Sequence, residues 1–466
     1  LGAGKTTFAR ALIRAAAGDE RLEVPSPTFT LVQSYVLPRH AILHVDLYRV
    51  HEAEELAELG LDEAEGAVTL IEWPDRAGEA LPADRFDIAF MLAPHLGLNA
   101  RQMRFVGRGR CAARAERLDV MRRLLERAGF GQAERRRLQG DASTRAYIRL
   151  VLPGRTAILM NAPPRPDGPP VRDGRPYSAI AHLAEDAKPF VAMARALRER
   201  GLSAPAVYAA DIEAGLILLE DLGCEGVAHG DPPSPIFERY AAAIDALSHL
   251  HAQALPETLP VAPGVEHALP PYDLDALTIE AELLLDWYFP FHGIEASAAE
   301  CEQFVGRWRA ALIRAVEAPR SWTLRDFHSP NLLWLPERDG IARVGLLDFQ
   351  DAVLGPNAYD VVSLLQDARV DVPEEMEIAL LGRYAKARRA ADADFDPASF
   401  VALYSLMGAQ RATKILGIFA RLCRRDGKPQ YIQHMPRVWR YLNRALSHPE
   451  LAELKAWYDY HAPAPT

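Results

Sequence analysis

The chain has 466 residues, 49% of them hydrophobic, and a formal net charge of −10 at pH 7. This length predicts two or three domains, and the acidic balance excludes a broad nucleic-acid surface, which needs clustered Lys and Arg. The chain shows neither a run of about 18 to 20 apolar residues nor a signal-peptide pattern, so we expect a cytoplasmic protein without a membrane segment.

The first hundred residues alternate predicted helices with short apolar runs. A helix is predicted over residues 6–17, and strand-like runs lie at residues 41–45 and 68–72. This alternation is typical of an α/β domain whose parallel sheet is flanked by helices.

The chain opens with LGAGKTT, which ends in the GK[ST] signature of a phosphate-binding loop. Glycine lets backbone N–H groups close around phosphate oxygens, Lys5 can reach the β- and γ-phosphates, and Thr6 can ligate Mg²⁺. We therefore predict an ATP and Mg²⁺ site, although a GKT triplet also occurs by chance at helix starts. Its nucleotide-binding residues would be Gly2, Gly4, Lys5, Thr6 and Thr7. Because the full motif has another glycine five positions before Gly4, we expect a P-loop NTPase domain truncated within this loop.

Three further segments place polar residues next to strand-like runs: SPTF at 26–29, HVDLYR at 44–49 and IEWP at 71–74. The carboxyl ends of parallel strands form the ligand-binding edge of an open sheet. Together with the P-loop, these segments resemble the TsaE family, the ATPase subunit of the bacterial tRNA threonylcarbamoyladenosine modification machinery. The resemblance covers about residues 1–105.

This resemblance implies roles for four more residues and a set of protein partners. Glu72 would help to hold Mg²⁺, and Asp46 would assist hydrolysis as a catalytic residue. Thr28 would lie in a nucleotide-sensing loop, and Trp73 would stack beside the nucleotide. The partners would be the other subunits of the modification complex. The alternatives are that Asp46 only caps a strand and Trp73 only fills the core.

A basic, glycine-containing stretch, GRGRCAARAER at 107–117, lacks core periodicity and predicts a linker over residues 106–117, with a boundary near Ala113. An amphipathic helix follows at 118–128, and strands are predicted at 147–152, 156–160 and 215–220. The remainder is mainly helical. Residues 118–466 should therefore form a two-lobed α+β unit, with a smaller lobe over about 118–222 and a larger one over about 223–466.

The strongest chemical signal is LRDFHSPN at 324–331, followed by an apolar run and then DFQD at 348–351. Phosphoryl transfer needs a carboxylate that orients the acceptor hydroxyl, an amide on Mg²⁺ and a second carboxylate on the metal. Asp326, Asn331 and Asp348 supply these groups in that order. Asp and Asn are also common turn residues, but the strand between the two motifs favours a kinase site. His328 could contact the substrate or brace the loop.

Residues on the nucleotide side of this site depart from the usual kinase pattern. The segment GDASTR at 140–145 stands where a phosphate-covering loop is expected, so Ser143 and Arg145 are candidate nucleotide ligands, and Glu220 falls at the hinge. Met160 occupies the position of the phosphate-binding lysine, and Arg145 or Lys188 would have to supply that charge. The usual catalytic-loop His is replaced by Leu324.

Residues 118–466 resemble the aminoglycoside phosphotransferase family, and more closely its AmgK-type kinases of N-acetylmuramate and N-acetylglucosamine in cell-wall recycling. The segments that carry this likeness include ILMNAPP, LLEDLG and QRATKILGIFARLCRRDGK. The resemblance implies phosphorylation of the C1 hydroxyl of an amino sugar, with Asp326 as the base and Asn331 and Asp348 on Mg²⁺. Trp287, Tyr288 and His292 are candidate sugar contacts that could equally be core.

Taken together, the sequence predicts a bifunctional enzyme, an ATPase of tRNA modification joined to a small-molecule kinase. Two alternatives remain for the kinase unit. It could phosphorylate another small alcohol or an aminoglycoside, or it could be a catalytically dead binding scaffold, which would fit the missing Lys and His.

Overall fold

A computed structural model describes residues 2–37, 40–50, 55–56, 59, 66–97, 99–138, 145–164 and 168–465. The chain divides into two compact units, Leu1–Arg123 and Leu124–Thr466. Among the helices of these described ranges, none is long and apolar enough to cross a membrane.

The first unit contains one helix near its start, a three-stranded sheet and a separate hairpin. Its elements are α1 (Lys5–Ala17), β1 (Val32–Val36), β2 (Ala41–Asp46), β3 (Val68–Glu72), β4 (Arg85–Leu92) and β5 (Arg101–Arg108). In the order β1-β2-β3, β2 and β3 are parallel, as predicted, whereas β1 is antiparallel to β2. The short connection over residues 37–40 explains this, because a parallel pair needs a long crossover.

Regular structure continues through the segment that we expected to be a linker. Strand β5 extends to Arg108, and helix α2 (Cys111–Arg127) begins three residues later. Gly107 is needed at this corner, because a Cβ there would collide with the backbone of Cys111 and Ala112. The glycine thus serves a tight strand-to-helix turn, and the division between the two units falls after Arg123 instead of near Ala113.

The smaller lobe of the second unit is a five-stranded antiparallel sheet in the order β11-β12-β8-β7-β6. Its strands are β6 (Glu134–Leu138), β7 (Ala146–Leu152), β8 (Arg155–Asn161), β11 (Val207–Asp211) and β12 (Leu216–Leu219). Between β8 and β11 lie β9 (Pro170–Arg172), β10 (Arg175–Pro176), α3 (Tyr177–Ile180) and α4 (Lys188–Glu199). Gly154 adopts a φ of 74° in the turn between β7 and β8, a conformation that glycine tolerates without strain.

The larger lobe is mainly helical, with short hairpins that carry the site. Its helices are α5 (Phe237–His251), α6 (Leu274–Leu283), α7 (Phe289–Phe291), α8 (Ala298–Glu317), α9 (Ala358–Leu365), α10 (Glu374–Ala391), α11 (Pro397–Arg424), α12 (Met435–Leu446) and α13 (Ala452–His461). Its strands are β13 (Ala228–His229), β14 (Ser234–Pro235), β15 (Thr258–Ala262), β16 (Val265–Ala268), β17 (Arg320–Thr323), β18 (Leu332–Trp334), β19 (Val344–Leu346) and β20 (Val353–Pro356). One large apolar core joins these helices to the underside of the sheet.

Two antiparallel strand pairs place the kinase motifs side by side. Strand β17 pairs with β20, and β18 pairs with β19. The loop over residues 324–331 leaves β17, and the loop over residues 347–352 leaves β19. Each loop connects a strand of one pair to a strand of the other pair, β17 to β18 and β19 to β20. The two loops therefore lie side by side, as the spacing of the motifs predicted.

Candidate active site

The catalytic loop is fixed by two buried carboxylates from helix α9 and the residues just after it. Asp360 accepts hydrogen bonds from the backbone N–H groups of Leu324 at 2.6 Å and Arg325 at 2.9 Å. Asp367 accepts from the backbone N–H of Ser329 at 2.8 Å and from its hydroxyl. Arg325 has a φ of 68°, so the loop holds a strained backbone that these bonds stabilise.

Asp326, Asn331 and Asp348, the three residues predicted to carry the kinase chemistry, lie together. The side-chain amide of Asn331 donates to the carbonyl of Asp326 at 3.0 Å, and the backbone N–H of Leu347 donates to the carbonyl of Asn331 at 2.9 Å. Leu347 precedes Asp348, so this last bond joins the loop over residues 347–352 to the loop over residues 324–331. The side chains of Asp326 and Asp348 remain 37% and 35% exposed, which leaves both accessible to ligands.

The charges around Asp326 and Asp348 push their pKa values in opposite directions. Burial raises the pKa of Asp348, and the nearby charge of Asp326 raises it further. Burial opposes ionisation of Asp326 too, but its His328 neighbour and the charges of Arg411 and Lys414 outweigh burial and lower its pKa. The His328 ring lies 3.7 Å from the Asp326 carboxylate. It also helps to lower the pKa of Asp367, so it interacts with two carboxylates of the loop region, which favours the bracing role.

This arrangement suits Mg²⁺. Within the described ranges, no group of three or more His, Cys, Asp or Glu side chains forms a self-sufficient metal site. In kinases, however, the protein supplies only a carboxylate and an amide oxygen, and the phosphates complete the coordination. The unfavourable proximity of the Asp326 and Asp348 carboxylates is the electrostatic environment that a divalent cation relieves.

Arg145 is the cation that the smaller lobe directs at the site. Its guanidinium lies 3.3 Å from the Asp348 carboxylate, and its side chain is 19% exposed. Lys188, the other candidate, pairs with Asp186 at 3.4 Å on the surface. Met160 is buried in the core under the sheet, so it contributes packing in place of charge. Ser143 and the rest of residues 139–144 lie outside the described residues.

Glu220 lies at the hinge, but its carboxylate forms ion pairs with two arginines. It pairs with Arg198 at 3.1 Å and with Arg338, and it accepts from the backbone N–H of Ala206 at 3.0 Å. A cavity of about 350 Å³ adjoins it, lined by residues 220–225 and 334–338. The Glu220 side chain is therefore already engaged by protein groups.

A buried ion cluster beside the catalytic loop was missed by the sequence analysis. Glu280 of α6 is fully buried and is bonded to Arg325, to the Lys414 ammonium at 2.7 Å and to the Tyr272 hydroxyl. Burial raises its pKa, but the charges of Lys414 and Arg325 outweigh burial and lower it to about 2. The available signal was charge at Arg411 and Lys414 within an otherwise apolar helix pattern.

Of the three aromatic residues considered as sugar contacts, Tyr288 belongs to the core, whereas Trp287 and His292 are partly buried. Tyr288 is fully buried, and its hydroxyl donates to the carbonyl of Pro463 at 2.7 Å. Its ring packs against His292, with ring centroids 4.4 Å apart, and against Trp439. Trp287 also packs against the main core. For Tyr288 the core interpretation is correct and sugar stacking is wrong.

The first unit gathers its predicted residues at the carboxyl ends of β2 and β3. Asp46 and Glu72 are paired neighbours in the parallel register. Thr6 donates to Glu72 at 2.9 Å, and Thr28 donates to Asp46 at 2.8 Å. His44, which the sequence analysis did not single out, contacts the other oxygen of Glu72 at 3.0 Å.

The predicted phosphate loop contains two glycines with left-handed backbone and leads directly into α1. Gly2 and Gly4 have positive φ values of 73° and 101°, and Thr7 lies in the first turn of α1. The Lys5 ammonium lies 4.0 Å from the centre of the Trp73 ring. Trp73 therefore lies beside Lys5 of the predicted phosphate site and is only partly buried.

Two family models match the chain. Residues 1–98 match threonylcarbamoyl adenosine biosynthesis protein TsaE, and residues 134–398 match the phosphotransferase enzyme family. Both resemblances drawn from the motifs are therefore confirmed.

Individual relatives fall into the same two groups. The N-acetylmuramate/N-acetylglucosamine kinase of Caulobacter vibrioides is 42% identical over 365 residues, which cover 76% of this chain and 98% of that protein. A kinase of the same name from Pseudomonas aeruginosa is 37% identical, with coverage of 67% and 84%. The tRNA threonylcarbamoyladenosine biosynthesis protein TsaE of Rickettsia bellii is 44% identical over 93 residues, 20% of this chain and 64% of that protein.

The phosphotransferase match spans more than half of the chain and contains the Asp326, Asn331 and Asp348 site. The chain therefore belongs to the phosphotransferase enzyme family and is an ATP-dependent phosphotransferase, fused to a TsaE-like segment at its N-terminal end.

Proposed function

We propose that residues 124–466 transfer the γ-phosphoryl group of ATP to the anomeric hydroxyl of N-acetylmuramate or N-acetylglucosamine. The observation that carries this proposal is the braced loop that brings Asp326, Asn331 and Asp348 together. The names of the kinases from Caulobacter vibrioides and Pseudomonas aeruginosa support the choice of acceptor. Recycling of cell-wall amino sugars is the process that this activity would serve.

In the proposed reaction, Asp326 orients the C1 hydroxyl of the sugar and accepts its proton. The bond between the sugar oxygen and the γ-phosphorus forms as the bond to the bridging oxygen of ADP breaks, and ADP leaves. A base with a lowered pKa is adequate, because proton transfer lags behind bond cleavage in a loose phosphoryl-transfer transition state. The anomeric hydroxyl is also more acidic than an ordinary alcohol.

Asn331 and Asp348 would hold Mg²⁺, which neutralises charge on the phosphates when it is bound. Arg145 bonds to Asp348 and would add positive charge at the same place, which compensates for the uncharged Met160. The hydrogen bonds that Asp360 and Asp367 accept from the loop hold its backbone, so that Asp326 would be positioned before the substrate arrives.

The cations near Asp326 favour a neutral or anionic acceptor over an aminoglycoside. Arg411 and Lys414 act on the Asp326 carboxylate, whereas a polycationic antibiotic requires an acidic wall. The dead-scaffold alternative is disfavoured, because the proposed base and the two proposed metal ligands are all present, and the loop that carries Asp326 and Asn331 is held by hydrogen bonds.

For the first unit we propose ATP hydrolysis in tRNA threonylcarbamoyladenosine formation, which would make the chain bifunctional. Thr6 and Glu72 would hold Mg²⁺, and Lys5 would contact the phosphates. Asp46, held by Thr28 and by the backbone N–H of Tyr48 at 2.9 Å, would orient the attacking water. The other proteins of that modification machinery would be its partners.

Product analysis tests the kinase proposal. The full chain is incubated with MgATP and N-acetylmuramate, N-acetylglucosamine or an aminoglycoside, and phosphorus–proton correlation NMR locates the phosphate. We expect a 1-phosphate from at least one amino sugar and none from the Asp348→Ala variant. A 6-phosphate, or turnover confined to aminoglycosides, would reject the anomeric assignment.

A further inference from the structure

Arg421, on the last two turns of α11, is a partly buried cation that has no ion-pair partner among the described residues. Its Nε is buried without a hydrogen-bond partner, and within the described ranges no carboxylate lies at ion-pairing distance from it. Burial lowers its pKa, and the neighbouring Arg425 lowers it further, against the opposing effects of Tyr177 and Asp426. A desolvated guanidinium of this kind is costly unless an anion completes it.

Three other cations on or just after this part of the helix have partners, and Arg424, at its last position, is exposed to solvent. Arg411 donates to the carbonyl of Arg325 at 3.2 Å, and Lys414 pairs with Glu280 at 2.7 Å. Arg425 forms a two-pronged pair with Asp426, at 2.7 and 3.0 Å. Asp426 is therefore engaged. Arg411 also has a buried Nε without a hydrogen-bond partner, so Arg421 differs from these three cations in that its guanidinium has neither a hydrogen bond nor an ion pair with any described residue.

The position of Arg421 connects it to the catalytic loop. Lys414 and Arg421 are seven residues apart, so they lie on one face of α11, separated by two turns or roughly 10 Å. The guanidinium of Arg421 lies 5.8 Å from the centre of the Tyr177 ring, at the start of α3. Just after the end of α3, the carbonyl of Ala181 accepts a hydrogen bond from Arg325 at 2.8 Å, next to Asp326.

Tyr177 lies within electrostatic range of both Arg421 and the Glu280 ion cluster. Burial raises the pKa of its hydroxyl, and the charges that act on it are those of Glu280, Arg421 and Arg325, with Tyr359. The Tyr177 ring thus interacts both with the ion cluster beside Asp326 and with the unpaired guanidinium of Arg421. A ligand whose hydroxyl reaches Asp326 and whose far side carries an anion would extend toward Arg421.

N-acetylmuramate has this form, and it differs from N-acetylglucosamine by a lactyl ether that carries a carboxylate. A guanidinium offers a planar pair of donors that matches a carboxylate. Resting on the function proposed above, we propose that Arg421 binds the carboxylate of the acceptor sugar and is the residue by which this enzyme favours N-acetylmuramate over N-acetylglucosamine.

The two sugars provide an internal control for the test. Initial rates of the full chain with saturating MgATP are measured for wild type, Arg421→Gln and Arg421→Lys. We expect Arg421→Gln to lower kcat/KM for N-acetylmuramate by about 10- to 100-fold, mainly through KM, because a charge-assisted hydrogen bond is lost. N-acetylglucosamine turnover should change by less than about twofold, and Arg421→Lys should recover part of the loss.

Arg425→Gln is the matched control, since it removes a charge one turn away that Asp426 already neutralises, and it should leave both sugars unaffected. Equal losses for both sugars in Arg421→Gln would show a structural role, and unchanged kinetics would show that no carboxylate is bound there; either result overturns the inference. Wild-type enzyme that phosphorylates neither sugar would instead reject the proposed function, and this inference with it.

Discussion

Asp326 is the residue on which the proposed phosphoryl transfer depends most directly. Asp326→Asn keeps the size and the hydrogen-bonding shape of the side chain but removes the proton acceptor. We expect turnover of the amino sugar to fall by about 10²- to 10⁴-fold with little change in melting temperature. Asp459→Asn, which alters only an exposed pair with Lys455, is the control. Turnover near the wild-type rate would contradict the role of Asp326.

Arg145 should supply the positive charge next to the ATP phosphates that a lysine at position 160 would otherwise provide. Because its guanidinium lies 3.3 Å from Asp348, Arg145→Ala should raise KM for MgATP by about tenfold or more, with a smaller effect on KM for the sugar. Lys188→Ala removes a surface charge paired with Asp186 and should leave both constants unchanged. If Lys188→Ala were the harmful change, the assignment of the two cations would be reversed.

The choice between these two cations shows where sequence reasoning stops. Asp326, Asn331 and Asp348 were predictable, because their roles depend on a local spacing between two loops. Arg145 and Lys188 could not be ranked, because the answer depends on how the smaller lobe places each side chain over a loop some two hundred residues later. Tyr288 failed for a similar reason, since its aromatic ring suits a core as well as it suits a sugar.

At the scale of whole elements, Glu280 joins α6, α11 and the catalytic loop through a single carboxylate. Its pKa falls from an ordinary 4.5 to about 2 in the folded protein. A lowered carboxylate pKa contributes stability that is fully present above about pH 4.5 and is lost as the pH falls toward 2. The shift corresponds to about 3 kcal/mol of the free energy of unfolding at neutral pH.

Glu280→Gln should therefore lower the free energy of unfolding at pH 7 by about 3 kcal/mol, because it leaves Arg325 and Lys414 without their buried partner. Between pH 4.5 and 2.5 the variant should lose less stability than wild type. Urea unfolding across this pH range measures both effects. Glu453→Gln, at an exposed pair with Arg307, should keep the wild-type dependence. Identical pH slopes for wild type and Glu280→Gln would contradict the prediction.

The elements themselves were predictable where periodicity or turn chemistry was strong. The strands on either side of the turn at Pro153 and Gly154 have the expected positions. Strand β1 and the segment at 106–117 differ from expectation, because a short connection forced an antiparallel neighbour and a glycine served a tight corner. The braces from Asp360 and Asp367 had no local signature, since each bonds to backbone groups more than thirty residues away.

At the scale of the whole molecule, each of the two units has its own hydrophobic core. Apolar clusters of the first unit include Ile13, Val45 and Ile42, and the main cluster of the second draws only on residues beyond Leu124. Units with separate cores usually fold and work independently. We therefore expect the two proposed activities to be separable by single substitutions.

Lys5→Ala and Asp348→Ala form a matched pair that tests this independence. Lys5→Ala should abolish ATP hydrolysis measured without sugar at the first unit but change kcat/KM for the amino sugar by less than about twofold. Asp348→Ala should abolish sugar phosphorylation, because the metal ligand is lost, and leave sugar-independent hydrolysis intact. A large loss of both activities in either variant would show that the units are coupled.

The ion cluster around Glu280 also limits which charge-changing substitutions the protein can tolerate next to the catalytic loop. A polycationic acceptor would be favoured by negative charge near Asp326, where Arg411 and Lys414 now contribute positive charge. Because Lys414 and Arg325 share one buried carboxylate, a reversal of charge at Lys414 would place two carboxylates together in the protein interior. Lys414→Glu should therefore destabilise the folded protein, so the charge at this position cannot be reversed without a second substitution at Glu280.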